Sequence, residues 1–221
     1  MARIVLIGAT GLIGGLVTRL GGDSVHGLVR RPSGRDGPET VAPPADWPRL
    51  VAGLGADVAV SALGTTRRAA GSEAAFRAVD FDMVLNFAKA ARAAGIRRMV
   101  VVSSVGANSR SRAFYLRVKG EVEDALRALE FDRLDILRPS LLSGDRGSRR
   151  RFGDSVGILL SPMFNFILRG RLDRYTAIDA EIVARAILDL AGTEAPGAHI
   201  HHYRDLVRLG GRTISDVPRV A

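Results

Sequence analysis

The chain of 221 residues contains no cysteine. This absence excludes disulfide bonds, thiolate nucleophiles and zinc or iron–sulfur sites built on cysteine. It fits a cytoplasmic protein, and we therefore expect a cytoplasmic location. No segment has the roughly 18 consecutive apolar residues that a membrane span requires. The apolar start "MARIVLIGATGLIGG" is interrupted by glycines and lacks the pattern of a signal peptide. We expect no membrane partner.

Lysine is also scarce, since only Lys89 and Lys119 are lysines among the 32 basic side chains. The net charge of +9 raises the question of a nucleic-acid partner. However, the arginine clusters are short, lie apart in the sequence and have few aromatic residues between them. We expect this charge to form a solvated surface that also contacts an anionic cofactor, and we expect no nucleic-acid partner.

Short apolar runs alternate with helical patterns through about residue 139. The predicted strands are 3–7, 24–30, 57–63, 97–104 and 133–139, and the predicted helices are 11–20, 73–94 and 114–130. Residues 31–48 are rich in proline and glycine, which predicts a loop in which any third strand is degenerate. This alternation predicts an α/β fold with a doubly wound parallel sheet.

The C-terminal part of the chain is less regular, with helical patterns at 155–169 and 180–191. No long linker or internal repeat divides the sequence. We predict a single domain over residues 1–221. Residues from about 140 to 221 are predicted to contribute a small substrate cap over the carboxyl edge of the sheet, where α/β folds bind ligands.

The first predicted strand runs into "GATGLIG", which places Gly8, Gly11 and Gly14 before a helix. A tight turn, the close approach of a pyrophosphate and the packing of the helix on the strand each favour glycine. The helix N-terminus then offers amides and a positive dipole to phosphate. This context predicts dinucleotide binding. The alternative is a tight packing turn without a ligand.

The ends of the next two strands suggest which dinucleotide binds. Arg30 and Arg31 end the second strand, and no carboxylate follows until Asp36. A carboxylate there would favour NAD, whereas a guanidinium pairs with a 2′-phosphate. We predict NADP(H), the alternative being surface arginines in an arginine-rich chain. In "SALGTT", after the following strand, small residues leave room for a flat cofactor, and we predict contacts from Leu63 and Gly64.

The segment "FYLRVKGEVE" places Tyr115 and Lys119 four residues apart on a predicted helix. Helical angles put both on the apolar stripe, with the acidic residues turned away. A lysine on this stripe is costly to bury unless its charge is compensated. Its ammonium can lower the pKa of a neighbouring tyrosine and donate to a ribose hydroxyl. We predict that Tyr115 transfers a proton and that Lys119 assists it. The alternative is that Lys119, near the helix start, extends to water.

Two serines and a histidine cluster complete the candidate residues. Ser103 and Ser104 end the strand before this helix, at the edge where substrate is expected. We predict that Ser104 polarises the reacting oxygen and that Ser103 contacts the cofactor or caps the turn, the alternative being that both bind local backbone. In "HIHH", His199 and His201 point the same way on a strand, and no carboxylate follows before Asp205. We predict no metal, and an edge strand over the cap.

The glycine turn, the strand-end serines and the Y-x-x-x-K spacing together resemble the short-chain dehydrogenase/reductase superfamily, over nearly the whole chain. More narrowly, "LGTTRRAAG", "VSSVGAN", "FYLRVKGEVE" and "FDRLDILRPSLLSGDR" resemble its atypical branch of Tat-interacting-protein-like oxidoreductases. The resemblance implies a Rossmann fold, Tyr115 as proton donor or acceptor and Lys119 as ligand of the nicotinamide ribose. It also implies NADPH contacts from Thr10, Gly11, Leu12, Ile13, Arg30, Arg31, Leu63, Gly64, Leu142 and Arg150.

These observations predict an NADP(H)-dependent oxidoreductase acting on a carbonyl or alcohol group of a small molecule. The tail beyond Arg151 departs most from the family pattern, and substrate choice is expected there. One alternative is a nucleotide-sugar epimerase-like enzyme, which consumes no cofactor overall. Another is a regulatory or redox-sensing protein that binds NADPH without turnover. A homodimer is compatible with the sequence.

Overall fold

The computed structural model describes residues 1–143 and 176–211 of the chain. Its centre is a seven-stranded sheet whose neighbouring strands are all parallel, in the order β3-β2-β1-β4-β5-β6-β9. Strands β7 and β8 pair separately as a small parallel sheet. The strands are β1 (Ile4–Ile7), β2 (Val25–Val29), β3 (Glu39–Val41), β4 (Val58–Ser61), β5 (Arg98–Val102), β6 (Arg133–Leu137), β7 (Leu142–Ser143), β8 (Ile178–Asp179) and β9 (Gly197–His201).

Helices cover both faces of this sheet. They are α1 (Leu12–Gly21), α2 (Trp47–Gly53), α3 (Arg67–Ala70), α4 (Glu73–Arg77), α5 (Val84–Ala93), α6 (Phe114–Arg127), α7 (Ala180–Ala191) and α8 (Tyr203–Gly210), with a π-helical turn at Ala78–Met83 and 3₁₀ turns at Gly22–Ser24 and Pro44–Asp46. None of the helices in the described part of the chain has the length and apolar character needed to cross a bilayer.

Two apolar cores, one on each face, hold these layers together. On one face, Leu6 and Val60 pack with residues of α1 and α7, such as Ile187. On the other, Val5 and Met99 pack with residues of α2, α5 and α6. Because helices cover both faces, the central strands β1, β4 and β6 are buried along their whole length, and a strand buried on both faces has a near-continuous apolar sequence.

The strand order confirms the doubly wound parallel fold predicted from the sequence. From β1 the chain moves outward to β2 and β3, returns to β4 on the other side of β1, and continues outward to β5 and β6. The direction of winding therefore reverses between β1 and β4. In open α/β sheets, a crevice that binds ligands forms at this switch point, beyond the carboxyl ends of the strands.

The structure corrects two expectations at the edges of the sheet. Residues 31–48 contain a real third strand, β3, which pairs with β2 through Gly27↔Glu39 and the two pairs that follow. The described parts of the predicted cap belong largely to the main layers, because α7 packs on α1 and β9 pairs with β6. Strand β9 is thus an edge strand of the main sheet rather than of a cap. The helix predicted at 155–169 lies outside the described residues.

Candidate functional site

The glycine turn joins β1 to α1 at the switch point. Gly8 has φ +91°, and a Cβ there would lie 2.5 Å from the carbonyl carbon of Ala62, so the end of β1 touches the end of β4. A Cβ on Gly14 would lie 2.1 Å from the carbonyl oxygen of Gly8. Helix α1 begins after Gly11 with no side-chain cap and no acidic residue in its first turn. Its N-terminal amides and dipole are therefore available to an anion.

Side chains around this turn differ in what they offer a ligand. Thr10 and Gly11 are exposed and Leu12 is half-buried, whereas Ile13 is buried in the core and presents only backbone. Arg30 and Arg31 are exposed directly after β2. A third cation, Arg35, was not among the predicted site residues. The guanidinium carbon of Arg35 lies 2.3 Å from where a Cβ of Gly15 would be, so this side chain lies against the first turn of α1.

Tyr115 and Lys119 lie on the same helix but in different environments. Tyr115, in the first turn of α6, is 40% exposed, and its ring packs edge-on against Phe76 with centroids 5.7 Å apart. Lys119, one turn further on, is only 4% exposed. Its burial excludes the alternative in which the lysine extends to water. The helix therefore presents the tyrosine at the surface and places the lysine inside.

The buried Lys119 has a counter-charge that the sequence analysis did not identify. Its Nζ forms an ion pair with Oδ1 of Asp80 at 2.7 Å, and Asp80 is fully buried in the π-helical turn before α5. Burial by itself lowers the pKa of Lys119. The nearby Asp80 carboxylate, with smaller contributions from Tyr115 and Glu123, outweighs burial and raises this pKa above its usual value. Lys119 is thus a charged group in a nearly water-free position.

The same carboxylate also fixes the loop after β4. The Thr65 backbone N–H donates to Oδ2 of Asp80 at 2.9 Å. A Cβ on Gly64 would lie 3.9 Å from Asp80 Oδ1 and 4.0 Å from Lys119 Nζ. Gly64 is exposed and Leu63 is half-buried. The structure therefore brings together two predicted site residues, Gly64 and Lys119, from different elements.

The two serines after β5 have separate roles. The Ser103 hydroxyl is buried and donates to Glu123, which also accepts a hydrogen bond from Arg138 Nε at 3.0 Å and one from Arg127 at 3.3 Å. This hydroxyl is therefore committed to an internal network, and its predicted contact with a cofactor is not supported. Ser104 is half-buried and its hydroxyl donates to the Val105 carbonyl at 3.3 Å, so it remains the serine available to a ligand.

Glu123 corrects the prediction that the acidic residues of α6 are all turned away from the core, because it is only 1% exposed. Its charge is compensated by ion pairs with Arg138 and Arg127. The helical angles could place the residue near the stripe, but they could not show that two arginines would make burial of a carboxylate tolerable.

The remaining candidates are Leu142, Arg150 and the histidine cluster. Leu142 is in β7, where it pairs with Ile178, and Arg150 is outside the described residues. His201 Nε2 lies 2.7 Å from Oδ1 of Asp135, which also pairs with Arg133. A carboxylate therefore does join the histidine cluster, from the neighbouring strand rather than from the following sequence. Residues 1–143 and 176–211 contain no group of three or more His, Cys, Asp or Glu side chains that could hold a metal.

Asp80 is the most informative residue that the sequence analysis missed. Its spacing offered a signal, because Asp80 lies four residues after Phe76 and four before Val84, both of which are buried. An acidic residue at a buried position of one helical segment, together with a lysine on the apolar stripe of another, indicates a buried ion pair. Neither residue alone is enough for that inference.

Sequence comparisons with known proteins show the family to which this chain belongs. The family model described as HIM1 matches residues 50–163. A mitochondrial protein FMP52 of Debaryomyces hansenii is 36% identical over 198 residues, covering 84% of this chain and 86% of the relative. The FMP52 protein of Coccidioides immitis is 33% identical and covers 95% of this chain and 97% of the relative.

Solved structures share the fold at low sequence identity. The Bordetella bronchiseptica enzyme WbmH, solved with NAD⁺, superposes with a TM-score of 0.66 at 18% identity, covering 91% of this chain and 75% of that one. A putative NAD-dependent epimerase/dehydratase from Bacillus halodurans gives 0.62 at 20% identity, with coverages of 90% and 92%. The UDP-N-acetylglucosamine 4-epimerase of Bacillus cereus gives 0.65 at 17% identity, with coverages of 91% and 78%. The Rossmann-like α/β fold is therefore confirmed.

The relatives also contradict the cytoplasmic location expected from the sequence, since the FMP52 proteins are named mitochondrial. The expectation depended on the absence of cysteine. That absence excludes disulfides and thiol chemistry, but it does not distinguish one compartment from another.

Proposed function

The chain belongs to the HIM1 family and is a relative of the FMP52 proteins, and we propose that it is an NADP(H)-dependent oxidoreductase of the short-chain dehydrogenase/reductase type. Its proposed substrate is a small molecule with a carbonyl or alcohol group. One observation carries the proposal: exposed Tyr115 lies one helical turn from buried, charged Lys119, which adjoins the β4 tip at the switch-point edge of the sheet. The resemblance to the Tat-interacting-protein-like branch is part of this proposal.

The residues at the switch point fit a nicotinamide dinucleotide. The turn Gly8–Gly11 and the uncapped start of α1 would bind the pyrophosphate through backbone amides. Gly64 keeps the β4 tip free of a side chain beside Lys119, whose ammonium would donate to a ribose hydroxyl.

The preference for NADP(H) over NAD(H) is proposed from the cations after β2. Arg30 and Arg31 are exposed there, and Arg35 lies against the start of α1. A guanidinium forms charge-assisted hydrogen bonds with a phosphate. We assign the 2′-phosphate to this group of three arginines.

When bound, the cofactor supplies or accepts a hydride at nicotinamide C4, and the substrate carbon gains or loses it. In the reducing direction the Tyr115 hydroxyl gives its proton to the substrate oxygen. The carbonyl, having gained a hydride on carbon and a proton on oxygen, becomes an alcohol. In the oxidising direction Tyr115 takes that proton back. Lys119 would donate a hydrogen bond to the ribose, and the Ser104 hydroxyl would donate to the substrate oxygen and polarise it.

A second candidate is an epimerase, since solved proteins with this fold include the UDP-N-acetylglucosamine 4-epimerase of Bacillus cereus. The same tyrosine and lysine would serve both reactions. Net consumption of cofactor distinguishes them, because an epimerase returns the hydride to its substrate and leaves the cofactor pool unchanged.

Calorimetry with NADPH and NADH, followed by a screen of carbonyl substrates, tests the proposal. We expect NADPH to bind more tightly than NADH, and a reductase activity that Tyr115→Phe removes. Equal or tighter binding of NADH would contradict the role of the arginines. Unchanged turnover in Tyr115→Phe would contradict the role of the tyrosine, and tight NADPH binding without turnover of any substrate would favour a sensing protein.

A further inference from the structure

The chain buries a complete ion pair, Lys119 with Asp80, beside the proposed cofactor site. The side chains are 5% and 0% exposed, and the two charged atoms are 2.7 Å apart. Removing two charges from water is costly, and a buried ion pair is often no more stable than apolar side chains of the same volume. The pair is therefore not explained by stability alone.

We propose that Asp80 is a positioning residue of the cofactor site, whose carboxylate holds the Lys119 ammonium beside Gly64 and keeps it charged for a ribose hydroxyl. The proposal rests on the proposed function, because it assigns a task to Lys119. Asp80 does not touch the ligand. It acts through Lys119 on one side and through the loop after β4 on the other.

The contacts of Asp80 join three elements that form one wall of the site. Its own backbone belongs to the π-helical turn Ala78–Met83, Oδ1 pairs with Lys119 on α6, and Oδ2 accepts the Thr65 N–H from the loop after β4. A π-helical turn inserts an extra residue into a helix and is frequently found at functional sites. One carboxylate thus sets the position of the lysine relative to the backbone that adjoins it.

The charge of the pair also determines what Lys119 can do. An ammonium and a carboxylate at this distance have little net charge together, so the electrostatic effect of Lys119 on more distant groups is reduced. The ammonium still has N–H groups beyond the one nearest Asp80. We infer that Lys119 acts mainly as a fixed hydrogen-bond donor to the ribose, and less as an unshielded charge on Tyr115.

The groups that act electrostatically on Lys119 come from two elements: Asp80 from the π-helical turn, and Tyr115 and Glu123 from α6 itself. Glu123 is paired with Arg138 and Arg127, which leaves Asp80 as the carboxylate in contact with the lysine. Removing the Asp80 charge therefore leaves burial as the main influence on the ionisation of Lys119, and burial favours the neutral amine.

Because the chain has two lysines, the ionisation of Lys119 can be measured by NMR without any ligand. In protein labelled with ¹³C-lysine, NMR gives one Cε signal for exposed Lys89 and one for buried Lys119, and Lys89 serves as an internal reference. In the wild type we expect Lys119 to titrate at higher pH than Lys89. In Asp80→Asn the order reverses, and Lys119 titrates at lower pH than Lys89. An unchanged order in Asp80→Asn would overturn the proposal.

Cofactor binding provides the second readout. We expect NADPH to bind Asp80→Asn about 10- to 100-fold more weakly than the wild type at alkaline pH, and the loss to shrink as the pH is lowered and Lys119 regains its proton. A merely structural role would weaken binding equally at every pH, and that result would also overturn the proposal. Glu123→Gln is the matched control, since it neutralises another buried carboxylate of the same region. We expect it to leave the Lys119 titration above that of Lys89.

The two readouts separate this inference from the proposed function. If Lys119 titrates as expected but no nicotinamide nucleotide binds, the ion pair stands and the assigned task of Asp80 fails with the proposed function. If NADPH binds but Asp80→Asn alters neither the titration nor the pH dependence of binding, the positioning role fails alone. Should Asp80→Asn not fold, the wild-type titration remains decisive, because Lys119 titrating below Lys89 contradicts the proposal.

Discussion

Helix α6 contributes to two buried charge networks that differ in what surrounds them. Glu123 is surrounded by Arg138, Arg127 and the Ser103 hydroxyl, and its carboxylate oxygens accept hydrogen bonds from all three. Within the described part of the chain, Lys119 has one ion-pair partner, Asp80, and it adjoins exposed Gly64. The comparison shows that a buried charge does not by itself mark a functional site. The informative feature is a buried charge that keeps hydrogen-bonding groups beyond those used by its partner and adjoins a surface where a ligand can bind.

The largest effect on stability is expected from breaking the enclosed network. Glu123→Ala leaves Arg138 and Arg127 without their buried carboxylate, and we expect the free energy of unfolding to fall by about 3–5 kcal/mol. Chemical denaturation measures this loss. NADPH affinity of the folded variant should stay within about twofold of the wild type. A large loss of affinity with little loss of stability would reverse the assignment of the two networks.

Tyr115→Phe should reduce turnover and leave stability nearly unchanged. The tyrosine is 40% exposed, so we expect the free energy of unfolding to change by less than about 1 kcal/mol. Turnover of any carbonyl substrate found by screening should fall at least about 100-fold, because the proton donor is lost. Steady-state kinetics and NADPH calorimetry on the same preparation separate the two effects. A variant that retains turnover would remove Tyr115 from the mechanism.

Lys119→Met should reduce both NADPH affinity and stability, since it removes a cofactor contact and leaves Asp80 as an uncompensated buried charge. We expect NADPH to bind about 10- to 100-fold more weakly and the protein to be less stable. Replacing both partners, in Asp80→Leu combined with Lys119→Met, should recover much of the stability but none of the affinity. Recovery of both would mean that the pair is structural only, like the network of Glu123.

A smaller and more selective effect is expected from the arginines after β2. Arg31→Ala should weaken NADPH binding about tenfold while leaving NADH binding unchanged, because only NADPH carries the 2′-phosphate. Arg49→Ala removes the same charge from an exposed position on α2 and is the matched control. If both variants lose the same affinity, the effect comes from net charge rather than from a phosphate contact.

The smallest effect is a pH dependence. The pKa of Lys119 is raised in the folded protein, where the Asp80 carboxylate outweighs burial. A raised pKa stabilises the folded state fully below the unfolded lysine value of about 10.4, and this contribution is lost as pH rises through the folded value. The difference in unfolding free energy between wild type and the Asp80→Leu/Lys119→Met double variant, which has neither buried charge, should therefore stay constant from about pH 6 to 9 and shrink only in more alkaline solution. A decrease between pH 6 and 9 would contradict the raised pKa.

Local sequence patterns were sufficient for much of the fold. The glycine turn and the apolar runs predicted β1, α1, β4, β5 and α6 within a few residues, because a buried parallel sheet imposes its pattern on each strand. The pattern did not reveal β3, whose residues Glu39–Val41 are not buried. It did not place β9 correctly either, because Gly197–His201 is largely exposed and its position depends on pairing with β6.

For the candidate site, the sequence predicted residues but not their partners. The spacing of Tyr115 and Lys119 showed that they share a helix face, and burial of Lys119 followed from that face. Asp80 lies far from Lys119 in the sequence, so their contact depends on how the π-helical turn packs on α6. Ser103 was ambiguous for a similar reason. Its hydroxyl donates to Glu123, which lies 20 residues later in the sequence on α6, so the contact depends on how α6 packs beside the end of β5.

The most direct test is a calorimetric titration of NADPH into the wild-type chain, alongside Lys119→Met and Glu123→Gln. The proposed site predicts tight binding to the wild type and to Glu123→Gln, with binding to Lys119→Met weaker by about 10- to 100-fold. If the wild type does not bind NADPH, or if Lys119→Met binds it as tightly as Glu123→Gln does, the nicotinamide site proposed around Lys119 is contradicted.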